Sequence, residues 1–480
     1  MSLPAFVRIK DNPEYPAKAP FDPPEFYPEL GFIPHRNETN RVYAAVREAF
    51  GKIGLDEKNY GNPTWRPFRD LAKPGSTVLI KPNLITHLHY QGERALHSTV
   101  VHGSVLRPII DYLFLEMGKQ GTILIADNPI VATDFQAVMD ATGISEMVKT
   151  LRDRGYCEIR VVDLRPRVLR EAKNGDFFYE NRGGDPLGYR EIDLGGDSLF
   201  GEFDCHTQIS YRTLADPTVD HADVRSTEKS ETDRFHHPGV HKYVISGSAL
   251  KADAIINVAK MKTHCKAGIT LTLKNLVGTV YGKGCIPHCR IGLPPIGDSA
   301  PGHPPRPYLA AIKLYTALRR SIRIHRWPGF RQVRNSFRKK RILFGQYKHL
   351  EHGNWKGNDT IWRTILDLNR IALYADENGM MHDAPQRKIL CLIDGIIGQQ
   401  GEGPMAGEPV VAGMVFSGGN PVLTDALALK AMGLDWRNVP TIARAREIGK
   451  WPLLPEEKCD LDFPGINVPD FHFKMPKGWR

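Results

Sequence analysis

The chain has 480 residues, of which 41% are hydrophobic, 9% aromatic and 25% charged. This composition excludes wholesale disorder and a collagen-like repeat, and the length allows two or three domains. The formal net charge is +10, which would favour an anionic partner if the excess were spread over the whole surface.

The cysteine content and the N-terminal sequence indicate the cellular compartment of the protein. Seven cysteines are few for this length and odd in number, so a reducing compartment is favoured over a disulfide framework. The first residues lack the apolar stretch of a signal peptide, and no apolar run is long enough to span a bilayer. We therefore expect a cytoplasmic protein, with attachment to the inner face of the membrane left open.

Hydrophobic periodicity predicts an alternation of strands and helices. Residues 1–35 contain eight of the 36 prolines, which predicts an extended strap. The elements predicted after it are helix 40–53, strand 77–80, helix 105–117, strand 122–126, helix 135–152, strand 159–163, strand 254–258, helix 360–374, strand 389–393, helix 423–432 and helix 441–448. This order predicts an α/β fold with a mostly parallel sheet flanked by helices. The polar, Gly-rich stretch 165–245 predicts an irregular β-rich insertion.

The positive charge is confined to one segment. Residues 306–348 contain 13 Lys and Arg with no acidic residue between 299 and 350, so the rest of the chain is near −3. The predicted organisation is a strap (1–35), a first part of the α/β core (36–298), a basic helical insertion (299–350), a second part of the core (351–450) and a C-terminal tail (451–480).

The basic amphipathic pattern of 306–344 leaves three interpretations open. An ordinary solvated helical insertion is the simplest of them. Trp and Phe beside the Arg residues suit an anionic membrane surface. Nucleic acid is less favoured because no recognised nucleic-acid-binding motif accompanies the segment.

Four predicted strands end in ionisable side chains. The strand ends are Lys81-Pro-Asn83, Asp127-Asn-Pro, Lys260-Met-Lys262-Thr-His264 and Asp394-Gly. In open α/β sheets ligands bind at the carboxyl ends of the strands, so these side chains predict a site for an anionic small molecule or a glycan intermediate. For any single strand, a charged residue reaching solvent is the simpler explanation.

A second polar set follows closely. Thr270, Lys274 and Asn275 come soon after His264, and Thr270 and Lys274 share a face if the segment is helical. A solvated amphipathic helix is an equal alternative. The predicted substrate-binding residues are Lys81, Asn83, Asp127, Lys260, Thr270, Lys274, Asn275 and Asp394. The predicted catalytic residues are Lys262, His264, His288 and Glu402.

Cofactors are only weakly indicated. The Gly-rich segment 394–407, predicted as a loop, could cradle an anion, but it fits neither the Walker A motif nor the dinucleotide fingerprint, so ATP and NAD are not predicted. Cys265, Cys285 and Cys289, with nearby histidines, have the side chains of a metal or iron–sulfur site. Buried apolar cysteines are the simpler interpretation. A divalent metal, an iron–sulfur cluster and an oligomeric assembly are left open.

The motifs resemble those of the domain-of-unknown-function family 362. The resemblance covers about residues 75–435. The matching segments are Val78–Leu84, Ile125–Pro129, Ala252–His264, Thr270–Gly278, a following His288, Asp394-Gly395 and Ser417–Pro421 before Asp425. The family's chemistry is largely undefined. Some members carry a ferredoxin-like module whose iron–sulfur cysteine motifs this chain lacks.

The sequence predicts three alternative functions. The first is a cytoplasmic enzyme acting on an anionic small molecule or a lipid-linked glycan intermediate, since the resemblance associates such long variants with polysaccharide pathways. The second is a metal or redox protein that uses the three cysteines. The third is a non-catalytic assembly factor at the membrane surface that acts through 306–344.

Overall fold

The computed structural model describes residues 3–35, 40–172, 177–203, 231–290, 294, 297–298, 353–454 and 460–480. The strands are β1 Ala5–Arg8, β2 Thr77–Pro82, β3 Thr122–Asp127, β4 Glu158–Asp163, β5 Arg167–Glu171, β6 Phe177–Asn181, β7 Tyr189–Asp193, β8 His236–His237, β9 Val240–Ser246, β10 Ala254–His264, β11 Gly268–Thr270, β12 Lys388–Glu402 and β13 Ala406–Gly418. The α-helices are α1 Arg41–Lys52, α2 Glu93–Leu96, α3 Gly103–Met117, α4 Phe135–Ala141, α5 Ile144–Asp153, α6 Glu231–Phe235, α7 Gly247–Lys251, α8 Thr272–Asn275, α9 Ile361–Tyr374, α10 Pro421–Ala431 and α11 Pro440–Ala443.

The main sheet has eight strands and is mostly parallel. Its order is β1-β13-β12-β10-β2-β3-β4, and β11 pairs with β10 beside this path. Strands β12, β10, β2, β3 and β4 run parallel, whereas β1 and β13 form an antiparallel edge. The predicted α/β fold with a mostly parallel sheet flanked by helices is therefore confirmed.

Both faces of this sheet are covered by apolar side chains. On β2, Val78 and Ile80 join one core with Val105 of α3, while Leu79 joins a core on the opposite face with Leu276. Each such side chain stabilises the fold by about 1.5–3 kcal/mol when fully buried. Burial on both faces explains why these strands are continuous apolar runs in the sequence.

The helix predicted over 135–152 is two helices in the structure. Helix α4 ends at Ala141 and α5 begins at Ile144, with Gly143 at a positive φ of 70° between them. A Cβ at Gly143 would lie 2.6 Å from Cζ of Phe21, which belongs to the N-terminal strap. The chain therefore breaks where the strap packs against it. Likewise, the helix predicted over 441–448 is the short α11 followed by a 3-10 turn at Arg444–Glu447.

The segment 394–407, predicted as an anion-cradling loop, is a β-hairpin formed by β12 and β13. A Cβ at Gly395 would lie 3.1 Å from Sδ of Met261, and one at Gly398 would lie 3.0 Å from the Met261 carbonyl oxygen. These glycines permit close approach of neighbouring strands. The prediction that this segment is a loop is therefore wrong.

The insertion 165–245 contains antiparallel β-structure. Strands β5 and β6 form one small sheet, and β7, β9 and β8 form another.

The basic insertion, including 306–344, lies outside the described residues. Within the described residues, no helix is both long enough and apolar enough to cross a bilayer.

Candidate functional site

The sheet has a topological switch point between β2 and β10. From β2 the chain moves outward through β3 to β4, then returns to the other side of β2 as β10 and continues to β12. The carboxyl ends of β2 and β10 therefore diverge into helices and loops on opposite sides and leave a crevice between them. This crevice contains a pocket lined by Asn83, Lys262 and Asn275.

A pocket at these strand ends holds a set of lysines and polar side chains. It includes about 390 Å³ of space not filled by protein atoms, and this space continues into open solvent. Its lining residues are Asn83, Ile85, Asp127, Lys262, His264, Thr270, Lys274, Asn275, Val277, Gly278, Lys283 and Pro404. The sequence predicted seven of these twelve as site residues.

Lys81 and Asp127 form a buried ion pair at one wall of the pocket. Nζ of Lys81 lies 2.7 Å from Oδ1 of Asp127. Asp127 also accepts the backbone N–H groups of Leu84 and Asn128, each at 2.8 Å. Asp127 is the one carboxylate among the described residues that line the pocket, and its charge is already paired.

Asn275 joins the ends of the strands on either side of the switch point. The amide oxygen of Asn275 accepts from Lys81 Nζ at 3.3 Å and from Asn83 Nδ2 at 3.0 Å. The Asn275 Nδ2 group donates to the Lys81 carbonyl at 2.8 Å and to Oδ1 of Asn257, on β10, at 2.8 Å. Asn275 therefore holds the carboxyl ends of β2 and β10 in a fixed relation.

Lys262 is fully buried without a carboxylate beside it. Its Nζ donates to Oδ1 of Asn83 at 2.9 Å and to the carbonyl of Thr99 at 2.6 Å. Across the described ranges, no acidic oxygen lies within 4.0 Å of this nitrogen. Burial, together with the charges of Lys274 and Lys260, holds the pKa of Lys262 well below its usual value.

The hairpin between β10 and β11 places three polar side chains on one face. Lys262 is directly opposite Thr270 in this antiparallel pair, and His264 is two residues beyond Lys262. Side chains of opposed residues and of residues two apart project to the same side of a sheet. The hydroxyl oxygen of Thr270 is buried and has no hydrogen-bond partner in the described part of the chain.

His264 is held as a neutral hydrogen-bond donor. Its Nδ1 accepts the backbone N–H groups of Lys266 at 3.1 Å and Ala267 at 3.3 Å, which assigns the ring proton to Nε2. Burial, followed by the charges of Lys274 and Lys262, lowers the pKa of His264 well below its usual value. Its Nδ1 lone pair is occupied, so the ring can donate from Nε2 but is poorly placed to act as a base.

Lys274 and Lys283 complete the cationic wall. Burial lowers the pKa of Lys274 to about 8, and the charges of Lys266 and Lys81 act in the same direction. Burial also lowers the pKa of Lys283 to about 7. Lys283 donates to the carbonyl of Asn128 at 2.7 Å. Sequence reasoning missed Lys283, whose one signal is its position between Gly282 and Gly284 soon after the Lys274–Gly278 motif.

Lys260 and Asp394, predicted to bind substrate, instead bind each other. Nζ of Lys260 lies 2.9 Å from Oδ2 of Asp394. The hydroxyl of Tyr15 donates to Oδ1 of Asp394 at 2.6 Å and accepts from Lys260 at 2.5 Å. His102 stacks on the Tyr15 ring at 4.5 Å between centroids. This buried cluster does not line the pocket, and Tyr15 and His102 had no clear sequence signal.

The structure places the other two predicted catalytic residues outside the pocket lining. Nδ1 of His288 lies 3.0 Å from the carbonyl oxygen of Ile286, and burial lowers the pKa of His288 to about 3. Oε1 of Glu402 accepts the backbone N–H of Lys477 from the C-terminal tail at 2.6 Å. Neither side chain faces the lysines of the pocket as a lining residue.

The cysteines predicted as metal ligands are buried thiols. Cys265, Cys285 and Cys289 are each less than 9% exposed. Burial raises the pKa of Cys265. Within the described ranges no group of three or more His, Cys, Asp or Glu side chains is placed to hold a metal. A metal or iron–sulfur site stays a prediction, which elemental analysis of anaerobically purified protein tests.

Fold and pocket together define an α/β protein with a lysine-rich pocket at the switch point of a mostly parallel sheet. The chain matches the model of the family "Domain of unknown function (DUF362)" over residues 78–183 and 203–430, which is more than half of its length. It therefore belongs to this family, as the motifs predicted.

A similar curated protein is the thylakoid-associated protein sll1697 of Synechocystis sp.. It is 23% identical to this chain over 248 residues, which are 52% of this chain and 52% of the relative. The chain thus spans about half the length of that relative. No solved structure gave a significant match.

Proposed function

We propose that this protein is an enzyme that binds an anionic small molecule, a carboxylate or a phosphate, in the pocket at the switch point. The observation that carries the proposal is the buried Nζ of Lys262, which has two neutral acceptors and, among the residues that the structure describes, no carboxylate beside it. Burying a cation without a counter-charge is costly, and an anion in the pocket would remove that cost.

The balance of donors and acceptors supports an anion. Lys262, Lys274 and Lys283 line the pocket together with the Nε2–H of His264 and the unpartnered hydroxyl of Thr270. The carboxylate of Asp127 is already paired with Lys81. An anionic ligand would therefore meet donors from a strand, a hairpin and a helix, while finding little repulsion.

The depressed lysine pKa values agree with this interpretation. Burial disfavours the charged form of Lys262, Lys274 and Lys283. A bound anion would favour the protonated form of a lysine that contacts its charged group, so part of the binding free energy would come from restoring that charge.

Calorimetric titration tests the proposal with two probes, glycolate for a carboxylate and inorganic phosphate for a phosphoryl group. We expect at least one probe to bind, and Lys262→Met to weaken that binding by about 10- to 100-fold, the effect of losing one hydrogen bond to a charged group. Lys242→Met is the matched control, because Lys242 pairs with Glu191 away from the pocket. The proposal is wrong if neither anion binds, or if Lys262→Met binds as tightly as the unmodified protein.

The basic segment supports a second proposal, that the protein attaches to an anionic membrane surface from the cytoplasmic side. Its support is the sequence of 306–344, with its Arg, Trp and Phe residues, together with the name of the thylakoid-associated relative. Cosedimentation with phosphatidylglycerol vesicles should be lost when 306–344 are deleted and should weaken with added salt. Equal sedimentation of the deletion variant would overturn this proposal.

A further inference from the structure

The four lysines at the pocket differ in what holds their ammonium groups. Lys81 pairs with Asp127. Lys262 donates to Asn83 and Thr99, and Lys283 donates to Asn128. Lys274 has no hydrogen bond or ion pair to any residue that the structure describes, although its side chain lines the pocket. Its nitrogen is therefore the one that a ligand can engage without displacing an existing partner.

The surroundings of Lys274 favour a reactive amine. Its side chain is half-buried, so it is reachable from the pocket. With its pKa lowered to about 8 from an ordinary 10.5, the neutral fraction at pH 7 is roughly 300-fold larger than that of an exposed lysine. A neutral amine with a lone pair and no hydrogen-bond partner is a nucleophile.

We propose that the ligand is an anion that also carries an aldehyde or ketone carbonyl, and that Lys274 forms an imine with that carbonyl. This inference rests on the proposed anion site and names the class of its substrate. The anionic group lies with Lys262 and the Nε2–H of His264, and the carbonyl faces Lys274. The hydroxyl of Thr270, which has no partner in the described part of the chain, is a donor for the carbonyl oxygen.

The step balances without an oxidant or a reductant. The Nζ lone pair forms a bond to the carbonyl carbon, and the π electrons of the carbonyl pass to its oxygen, which takes up a proton. The nitrogen loses a proton to give a carbinolamine. The carbinolamine hydroxyl takes up a second proton and leaves as water, while the nitrogen lone pair forms the double bond and the second N–H proton is lost. A carbon–nitrogen double bond remains, and hydrolysis reverses the sequence.

Glyoxylate, a small carboxylate with an aldehyde, is the probe for this step. The full chain is incubated at pH 7 with glyoxylate and cyanoborohydride, which reduces an imine to a stable secondary amine, and the labelled lysines are identified by peptide mass spectrometry. We expect Lys274 to be labelled at least about tenfold faster than exposed lysines in the same sample, because more of it is neutral. In Lys274→Arg the label at this position should disappear, whereas Lys242→Arg should leave it unchanged.

Glycolate has a hydroxyl in place of the aldehyde of glyoxylate. It therefore distinguishes a wrong imine proposal from a wrong anion site. If glycolate binds but Lys274 is labelled no faster than exposed lysines, the imine is wrong and the anion site stands. If neither glycolate nor inorganic phosphate binds, the proposed function is wrong and the imine proposal falls with it. Circular dichroism and thermal unfolding of Lys274→Arg verify that a lost label does not reflect a lost fold.

Discussion

At the scale of single residues, the pocket contains one buried polar atom, Oγ1 of Thr270, that no described residue satisfies. Thr270 is 3% exposed, and its buried hydroxyl has no hydrogen-bond partner among the described residues. A buried hydroxyl without a hydrogen bond lowers stability, so its presence is better explained by a ligand than by folding.

Thr270→Val therefore separates binding from stability. We expect urea denaturation to show unchanged stability or a gain of up to about 1 kcal/mol, and glycolate affinity to fall by roughly three- to tenfold. Thr279→Val is the matched control, because the buried Thr279 hydroxyl donates to the Leu276 carbonyl at 2.8 Å and does not line the pocket. That variant should lose stability and keep its affinity. A stability loss in Thr270→Val with unchanged affinity would contradict the proposed role.

The lysine pKa values also predict a pH dependence. Lys283 and Lys274 lose their protons near pH 7 and pH 8 in the folded protein, so glycolate affinity should fall as the pH rises from about 7 to 9. The decrease is at most about tenfold per pH unit for each proton taken up on binding. Glycolate remains a monoanion above about pH 6, so the trend reports on the protein. Titration calorimetry at several pH values measures it, and a constant affinity would contradict the assignment.

The free energy of unfolding of the protein without added ligand should, in contrast, increase as the pH rises. Both lysines have folded-state pKa values below the unfolded value of 10.5, so the unfolded chain binds more protons between about pH 7 and 10.5. The contribution of these two groups to the free energy of unfolding therefore rises with pH across that window.

At the scale of elements, the turn after α8 packs directly on the ends of β2 and β3. A Cβ at Gly278 would overlap Oδ1 of Asp127 and lie 2.6 Å from Nζ of Lys81. We expect Gly278→Ala to lower the free energy of unfolding by about 1–3 kcal/mol and to disturb the ion pair. Gly449→Ala is the control, since a Cβ there meets nothing within 4 Å. Urea denaturation measures both, and equal stability of the two variants would contradict the packing argument.

The sequence predicted most elements but not the full length of the strands that build the site. The apolar run of β10 stops at Ala259, while the strand continues to His264 through Lys260 and Lys262. Lysines at strand ends are ordinarily exposed, so their burial could not be inferred from the pattern. Thr270 and Lys274 reach the same pocket from a strand and a separate short helix, whereas the sequence suggested one shared helix face.

The strand-end rule nevertheless selected several side chains that the structure brings together around one pocket. Lys81, Asn83, Asp127 and Lys262 converge there because the carboxyl ends of parallel strands meet at one edge. Which of them pair with one another depends on the strand order, and the sequence does not specify that order. This is why Lys260 and Asp394, equally prominent in the sequence, proved to satisfy each other away from the pocket.

At the scale of the whole molecule, the N-terminal strap (1–35) forms hydrogen bonds with two central strands of the main sheet, β10 and β12. Tyr15 bonds to both Lys260 and Asp394, and the strap's Val7 and Phe21 are buried in the main core. Tyr15→Phe should lower the free energy of unfolding by about 1–3 kcal/mol, because it leaves buried charged groups with one fewer partner. Glycolate affinity should change by less than about twofold, since loss of a hydrogen bond outside the pocket removes no ligand contact. A large loss of affinity would instead make the strap part of the site.

The most direct test of the central claim is a crystal structure of the full chain grown with glycolate or inorganic phosphate. The account predicts the anion in the pocket at the switch point, within hydrogen-bonding distance of Nζ of Lys262 and the hydroxyl of Thr270. An unoccupied pocket in crystals that hold the anion elsewhere, or a structure in which a carboxylate of the protein pairs with Lys262, would contradict it.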